Sequence, residues 1–170
     1  IDKSIAMLGI GTNHIRRIQT NGDFTINTKV LEAEIEKDKK EGFNPFCIVG
    51  NAGTVNTGAI DDLTALANIA KEHQLWFHVD GAYGGLASSL PSLKAKYAGI
   101  DRADSIALDF HKWLYQPFEI GCVLVRDWSL MRETYFKRAD YLDNQFAQES
   151  TRLDFNENYF QLSRNAKAFK

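Results

Sequence analysis

Four short apolar runs alternate with longer helical patterns along this sequence, and this alternation limits the folds that the chain can adopt. Each run is nearly free of polar residues, which is typical of a strand buried inside a sheet. The runs are PFCIV (45–49), LWFHV (75–79), SIAL (105–108) and CVLV (122–125). Strands that are separated by helices form βαβ units. The predicted fold class is therefore α/β, with a mostly parallel sheet flanked by helices.

Helical periodicity and turn residues fill the intervals between these runs. Apolar residues at helical spacing predict three helices, over residues 29–40, 63–74 and 128–136. Gly42 suits the position just after the first helix, and either Asp61 or Asp62 can cap the second. Residues 14–19 (HIRRIQ) are predicted to form a short strand before a turn at residues 21–23.

Charge and cysteine content exclude several classes of protein. Lys and Arg total 20 against 22 Asp and Glu, and no block of like charge stands out. We therefore expect no nucleic-acid partner and no polybasic membrane surface. No apolar run approaches the ~20 residues that a membrane span needs. Cys47 and Cys122 lie far apart in apolar runs, so we expect packing residues with protonated thiols and a reducing, cytoplasmic location.

Both ends of the sequence fall inside helix-like patterns. The chain starts at Ile1 within IDKSIAMLGIG and stops at Lys170 within YFQLSRNAKAFK, without a helix stop signal. The basic start and long apolar stretch of a secretory signal are absent. We therefore expect these 170 residues to be part of a longer protein.

We expect a ligand-binding or catalytic site at the carboxyl ends of the strands, where ligands of open α/β sheets bind. Three loops leave such ends, over residues 51–59, 80–85 and 109–113. The first carries Thr54 among glycines, and the second begins with Asp80 and continues with small residues. The third places His111 next to Lys112. Each loop therefore offers polar groups at the same predicted edge of the sheet.

Each of these groups also has a purely structural interpretation. Asp80 before Gly81 suits a turn, His78 suits a hydrogen-bonded core histidine, and Lys112 suits a surface lysine. Their combination favours a flat cationic cofactor, since a carboxylate and a lysine lie at neighbouring strand ends with small residues between them. Pyridoxal phosphate needs a lysine for its Schiff base and a carboxylate that keeps the pyridine nitrogen protonated.

Two other kinds of site fit the sequence less well. His78, Asp80 and His111 resemble part of a metal site, but a third ligand at a recognised spacing is lacking. We therefore predict no metal. A dinucleotide site is also disfavoured, because no GxGxxG follows a strand.

Four segments carry a resemblance to a known family: DKKEGFNPF (38–46), GTVNTGAIDDL (53–63), LWFHVDGAYGG (75–85) and ADSIALDFHKWL (103–114). The chain resembles the pyridoxal-phosphate-dependent amino-acid decarboxylases of the aromatic-amino-acid and glutamate decarboxylase group. The resemblance runs through essentially the whole chain. It implies the aspartate-aminotransferase-like (type I) fold, with residues 1–170 as the central part of the large domain. The N-terminal part of that domain and the small C-terminal domain are then absent.

The resemblance also implies roles for individual residues. Lys112 matches the lysine that forms the internal aldimine with pyridoxal 5'-phosphate, and Asp80 matches the partner of the pyridine nitrogen. Ala82 corresponds to the small residue against one ring face. His111 corresponds to the histidine that touches the phosphate and lies near the reacting carbons. Thr54 lies in the segment that runs close to the ring edge.

Two positions bear on the reaction. Tyr141 lies in the polar, aperiodic stretch 137–158, where the family places a mobile-loop tyrosine that helps to protonate the substrate carbon. Aldehyde-forming members usually carry phenylalanine there, so Tyr141 favours simple decarboxylation. Asp109 and Phe110 replace the usual Asn and Pro of the lysine motif. A carboxylate beside a phosphate is repulsive, so we expect Asp109 to turn away or to be compensated.

The resemblance thus implies a homodimeric enzyme that converts a small L-amino acid to the amine and carbon dioxide. Its expected catalytic residues are Lys112, His111 and Tyr141. Alternatives are another type I enzyme, such as an aminotransferase, a desulfurase or an aldehyde-forming decarboxylase, and an inactive structural fragment.

Overall fold

A four-stranded sheet with strand order β1-β2-β3-β4 organises the protein. The computed structural model describes residues 1–136, 157–163 and 165. The strands are β1 (Cys47–Asn51), β2 (Trp76–Asp80), β3 (Ser105–Asp109) and β4 (Gly121–Val125). β1, β2 and β3 run parallel, and β4 pairs antiparallel with β3. Each strand overlaps one predicted apolar run, which confirms the mostly parallel sheet.

Five helices accompany the sheet in the described part of the chain. They are α1 (Asp2–Met7), α2 (Thr28–Lys40), α3 (Leu63–His73), α4 (Phe110–Trp113) and α5 (Ser129–Tyr135). The helices predicted over 29–40, 63–74 and 128–136 are confirmed as α2, α3 and α5. Within residues 1–136, 157–163 and 165, no helix combines the length and apolar character needed to cross a bilayer.

The strand predicted over residues 14–19 is wrong. Residues 12–14 form a turn of 3-10 helix, and residues 15–19 belong to neither a helix nor a strand. A single antiparallel bridge joins Thr20 to Ile26. The Arg16 side chain reaches Asp38 on α2 in an ion pair of 2.9 Å. This segment therefore contacts α2 through a side chain and not through a hydrogen-bonded ladder.

Helix caps follow the predicted residue types. The Asn27 side chain accepts a hydrogen bond from the Val30 amide and caps α2. Of the two candidates for α3, Asp62 is the cap, since its carboxylate accepts from the Ala65 amide. Gly42 follows α2 with φ +85°, a conformation that favours glycine.

The core lies between α3 and one face of the sheet. Leu63 and Leu66 of α3 and Phe77 and Val79 of β2 are the largest fully buried side chains. Successive residues of a strand point to opposite faces, and in β2 only the Phe77 and Val79 side is fully buried. The other face of β2 is half-buried and carries Trp76, His78 and Asp80. Asp80, the candidate-site residue on β2, thus lies on the less buried face of the strand.

Asp61 holds the end of β1 in place. Its carboxylate is buried and accepts hydrogen bonds from the Ile26 amide and from the Asn51 amide, both at 2.7 Å. The Asn51 side chain adds a third donor at 3.3 Å. The carboxylate therefore joins the Thr20–Ile26 turn to the point where the first site loop begins.

We expect Asp61→Asn to lower the free energy of unfolding by about 1–3 kcal/mol, because an amide NH2 faces a backbone N–H where an oxygen accepted before. Denaturant unfolding of the variant measures this loss. Asp62→Asn is the matched control, since asparagine caps a helix as well as aspartate does. Equal stability of the two variants would contradict the role of Asp61.

Candidate active site

The carboxyl ends of β1, β2 and β3 meet at one edge of the sheet. The register aligns Asn51 with Asp80 and Asp80 with Ala107, so the three loops after these strands start side by side. Backbone hydrogen bonds join them, since the Ala52 amide donates to the Asp80 carbonyl and the Gly81 amide donates to the Ala107 carbonyl. The predicted juxtaposition of the loops is confirmed.

Glycines bring the first two loops into backbone contact. Gly53 has φ +85°, and a Cβ on it would lie 2.7 Å from the Gly84 Cα. The Gly84 amide donates to the Gly53 carbonyl at 3.1 Å. Beside this contact, the Thr54 hydroxyl lies 2.6 Å from the Thr57 hydroxyl. Thr54 is thus half-buried next to the second loop, with its side chain bonded within its own loop.

Asp80 ends β2 with a half-buried carboxylate. Its Oδ1 accepts a hydrogen bond from the Ala82 amide at 3.1 Å, so an Asx-type turn fixes the orientation of the side chain. This local bond is the turn that the structural interpretation expected, and it leaves the carboxylate at the sheet edge. Asp80 and Ala82 therefore occupy adjacent places in the site.

Lys112 lies on α4, the single helical turn that follows β3. Its Nζ is 2.7 Å from Oδ2 of Asp109, and the Lys112 side chain is 37% exposed. This ion pair gives Asp109 a positive partner, and its placement relative to a cofactor phosphate stays a prediction. The spacing of three residues on a helical turn was the signal that could have predicted the pair.

His111 is oriented by the backbone of Ile120. Its Nδ1 lies 2.9 Å from both the amide nitrogen and the carbonyl oxygen of Ile120, so the backbone of this residue holds the ring in place. Nε2 is 3.9 Å from Oδ2 of Asp109. The ring also packs against Phe118 with a centroid distance of 4.7 Å. Asp109, His111 and Lys112 thus form one cluster.

His78 belongs to a hydrogen-bonded chain on β2 and β3. The Trp76 indole donates to the Ser105 hydroxyl at 2.8 Å, and that hydroxyl lies 2.7 Å from His78 Nδ1. The indole can only donate, so the serine hydrogen is available to His78. Burial lowers the pKa of His78, and the negative charge of Asp80 opposes that shift. His78 is therefore a neutral, hydrogen-bonded histidine, as its structural interpretation stated.

Both cysteines are free and half-buried. Burial raises the pKa of the Cys47 thiol to about 11 and raises the pKa of Cys122 in the same direction, which favours the protonated thiols that the sequence predicts. In the described ranges, no three His, Cys, Asp or Glu side chains converge as metal ligands do.

The structure therefore places five of the six predicted site residues at one edge of the sheet. They are Thr54, Asp80, Ala82, His111 and Lys112. The sixth, Tyr141, lies outside the described residues.

Comparison with known proteins decides the family. A sequence profile described as the "Pyridoxal-dependent decarboxylase conserved domain" matches residues 1–170. The chain belongs to this family. Among its members, the aromatic-L-amino-acid decarboxylase of Bacillus atrophaeus is 36% identical over 170 residues, which are 100% of this chain and 35% of that protein. The chain thus spans about a third of the length of the curated relatives it matches.

Solved structures of the family share the fold. Mouse CSAD in its apo form matches with a TM-score of 0.89 and 31% identity, over 98% of this chain and 34% of that one. The glutamate decarboxylase domain of a Vibrio parahaemolyticus diaminobutyrate-pyruvate transaminase and L-2,4-diaminobutyrate decarboxylase is 45% identical. It has a TM-score of 0.72 over 75% of this chain and 28% of that one. These matches confirm the predicted α/β, type I fold class.

Proposed function

We propose that residues 1–170 are the central part of the large domain of a pyridoxal-phosphate-dependent carboxy-lyase. The proposed reaction converts an L-amino acid to its amine and carbon dioxide, in a cytoplasmic homodimer. The observation that carries the proposal is the placement of Asp80 and Lys112 at the carboxyl ends of adjacent parallel strands, in a chain of this family.

The residues at the sheet edge fit pyridoxal 5'-phosphate by their chemistry. Lys112 offers a half-exposed primary amine that can hold a carbonyl carbon covalently. Asp80 offers an oriented carboxylate for a ring nitrogen, and Ala82 offers a small side chain against a ring face. Thr54 and His111 would lie at the ring edge and near the phosphate, as the resemblance implies.

Each residue has a definite task in the proposed reaction. The bound cofactor supplies an electron sink for the carbanion that loss of the carboxylate leaves. The negative charge of Asp80 favours a proton on the ring nitrogen, which keeps that sink strong. Lys112 Nζ would hold the cofactor through its primary amine. His111 would lie near the phosphate, with its ring held by the backbone of Ile120.

Decarboxylation of L-amino acids by the complete polypeptide tests the proposal. We would supply aromatic, acidic and diamino acids one at a time and measure carbon dioxide and amine. An aminotransferase would give a keto acid without carbon dioxide, and that result would contradict the proposal. An inactive fragment would fail to bind the cofactor, which an absorbance titration with pyridoxal phosphate detects.

We propose that Tyr141 gives a proton to the substrate carbon after carbon dioxide leaves. Tyr141→Phe should then retain the cofactor but slow amine formation or divert it to an aldehyde, since phenylalanine has no proton to give. Quantifying amine and aldehyde from matched amounts of loaded enzyme measures this. Tyr159→Phe is the control, and equal amine output from Tyr141→Phe and the unmodified enzyme would remove Tyr141 from the mechanism.

A further inference from the structure

The Asp109–Lys112 ion pair is built into the turn that carries the lysine. Asp109 is the last residue of β3 and directly precedes α4, so Lys112 lies three residues further on the same side of one helical turn. The two charged atoms are 2.7 Å apart, the distance of a charge-assisted hydrogen bond. The Asp109 side chain is only 25% exposed, so water screens the pair incompletely.

The strand next to β3 leaves space for this carboxylate. Asp109 is paired with Gly121 at the start of β4. A Cβ on Gly121 would lie 3.3 Å from Oδ1 of Asp109, closer than ordinary van der Waals contact. The absence of a side chain at position 121 thus allows the carboxylate to lie beside β4 while Oδ2 faces Lys112. Within the described residues, Lys112 and His111 lie within ion-pair distance of this carboxylate.

We propose that Asp109 is the counter-ion of Lys112 in the cofactor-free protein and restrains the nucleophilicity of its amine. The inference rests on the proposed function, in which Lys112 holds the cofactor. The carboxylate lies 2.7 Å from Nζ, so the amine must leave this contact before it can attack an electrophile. The carboxylate also holds Nζ in one position. Asp109 is therefore a positioning residue that acts on the cofactor through Lys112.

Acetylation of Lys112 in the complete, cofactor-stripped polypeptide tests this role. The protein is treated with an N-hydroxysuccinimide acetate at pH 8, and mass spectrometry of the peptide that carries Lys112 gives the rate constant. We expect Asp109→Asn to raise this rate constant about two- to five-fold, the range of a partly screened ion pair. Asp109→Glu keeps the negative charge and should stay near the unmodified rate.

Glu34→Gln provides the matched control. Glu34 and Lys37 have the same spacing on α2, with Oε1 and Nζ 3.2 Å apart. This change should leave the acetylation rate of Lys112 unaltered, whereas a general loosening of the protein would raise it. An unchanged Lys112 rate in Asp109→Asn, or equal rates in the Asn and Glu variants, would overturn the proposal.

A salt series on the unmodified protein keeps the test independent of how the variants fold. High salt screens the attraction between Asp109 and Lys112. The rate for Lys112 relative to exposed Lys94 should rise with salt, and a constant ratio would overturn the proposal. These measurements use no cofactor. A separate experiment tests the proposed function. If borohydride reduction of the cofactor-loaded protein fixes the cofactor to a peptide without Lys112, the proposed function fails.

Discussion

We expect Lys112→Arg to abolish covalent retention of pyridoxal phosphate and to lower the proposed decarboxylation at least about 10³-fold in the complete polypeptide. Arginine keeps a positive charge within reach of Asp109, so residue 112 can still form an ion pair with this carboxylate. The guanidinium stays protonated at accessible pH and cannot act as a nucleophile. The loss of activity therefore reports the missing nucleophilic amine, because the positive charge at position 112 is unchanged.

Borohydride reduction followed by peptide mapping measures retention of the cofactor, and amine release measures the rate. Lys94→Arg is the control, since Lys94 is an exposed lysine in a short turn after the second site loop. It should leave both readouts unchanged. Covalent cofactor in Lys112→Arg at the level of the control would refute the assignment of Lys112.

Gly84→Ala should destabilise the protein by at least about 3 kcal/mol or prevent folding. The Cβ would lie 2.6 Å from the Gly53 Cα and 2.8 Å from the Ala52 carbonyl oxygen. Both are backbone atoms, which cannot move aside as the end of a flexible side chain can. The φ of Gly84 is −94°, an ordinary value for any residue, so the conflict is one of space alone.

Denaturant unfolding and cofactor titration of Gly84→Ala measure the effect on stability and on the site. Separation of the first two loops displaces Thr54 relative to Asp80, so a variant that still folds should bind the cofactor more weakly. Gly22→Ala is the control, because nothing lies within 4 Å of a Cβ there. Its stability should change by less than about 0.5 kcal/mol. Equal stability of the two variants would contradict the close approach of the loops.

Local signals were sufficient for most of the secondary structure. The apolar runs became β1 to β4, and helical spacing placed α2, α3 and α5 within a few residues. The same kind of signal misplaced residues 14–19, because a strand depends on a partner strand as well as on its own residues. The choice between Asp61 and Asp62 also needed the fold. Asp62 bonds three residues along its own helix, whereas Asp61 bonds across 35 residues to Ile26.

By itself, the sequence determined the alternation of strands and helices and which residue types follow each strand. Its motifs also carried the family and the expectation that Asp80 and Lys112 work together. The tertiary structure alone decided that Gly53 and Gly84 touch and that Asp61 holds the end of β1. The physical reason is the distance along the chain over which each kind of interaction acts. Periodicity and turn preference act over a few residues, whereas these contacts exist only after parallel pairing has brought distant loops to one edge of the sheet. The Asp109–Lys112 ion pair is short in range, but its carboxylate lies in the space that Gly121 leaves on the antiparallel strand β4.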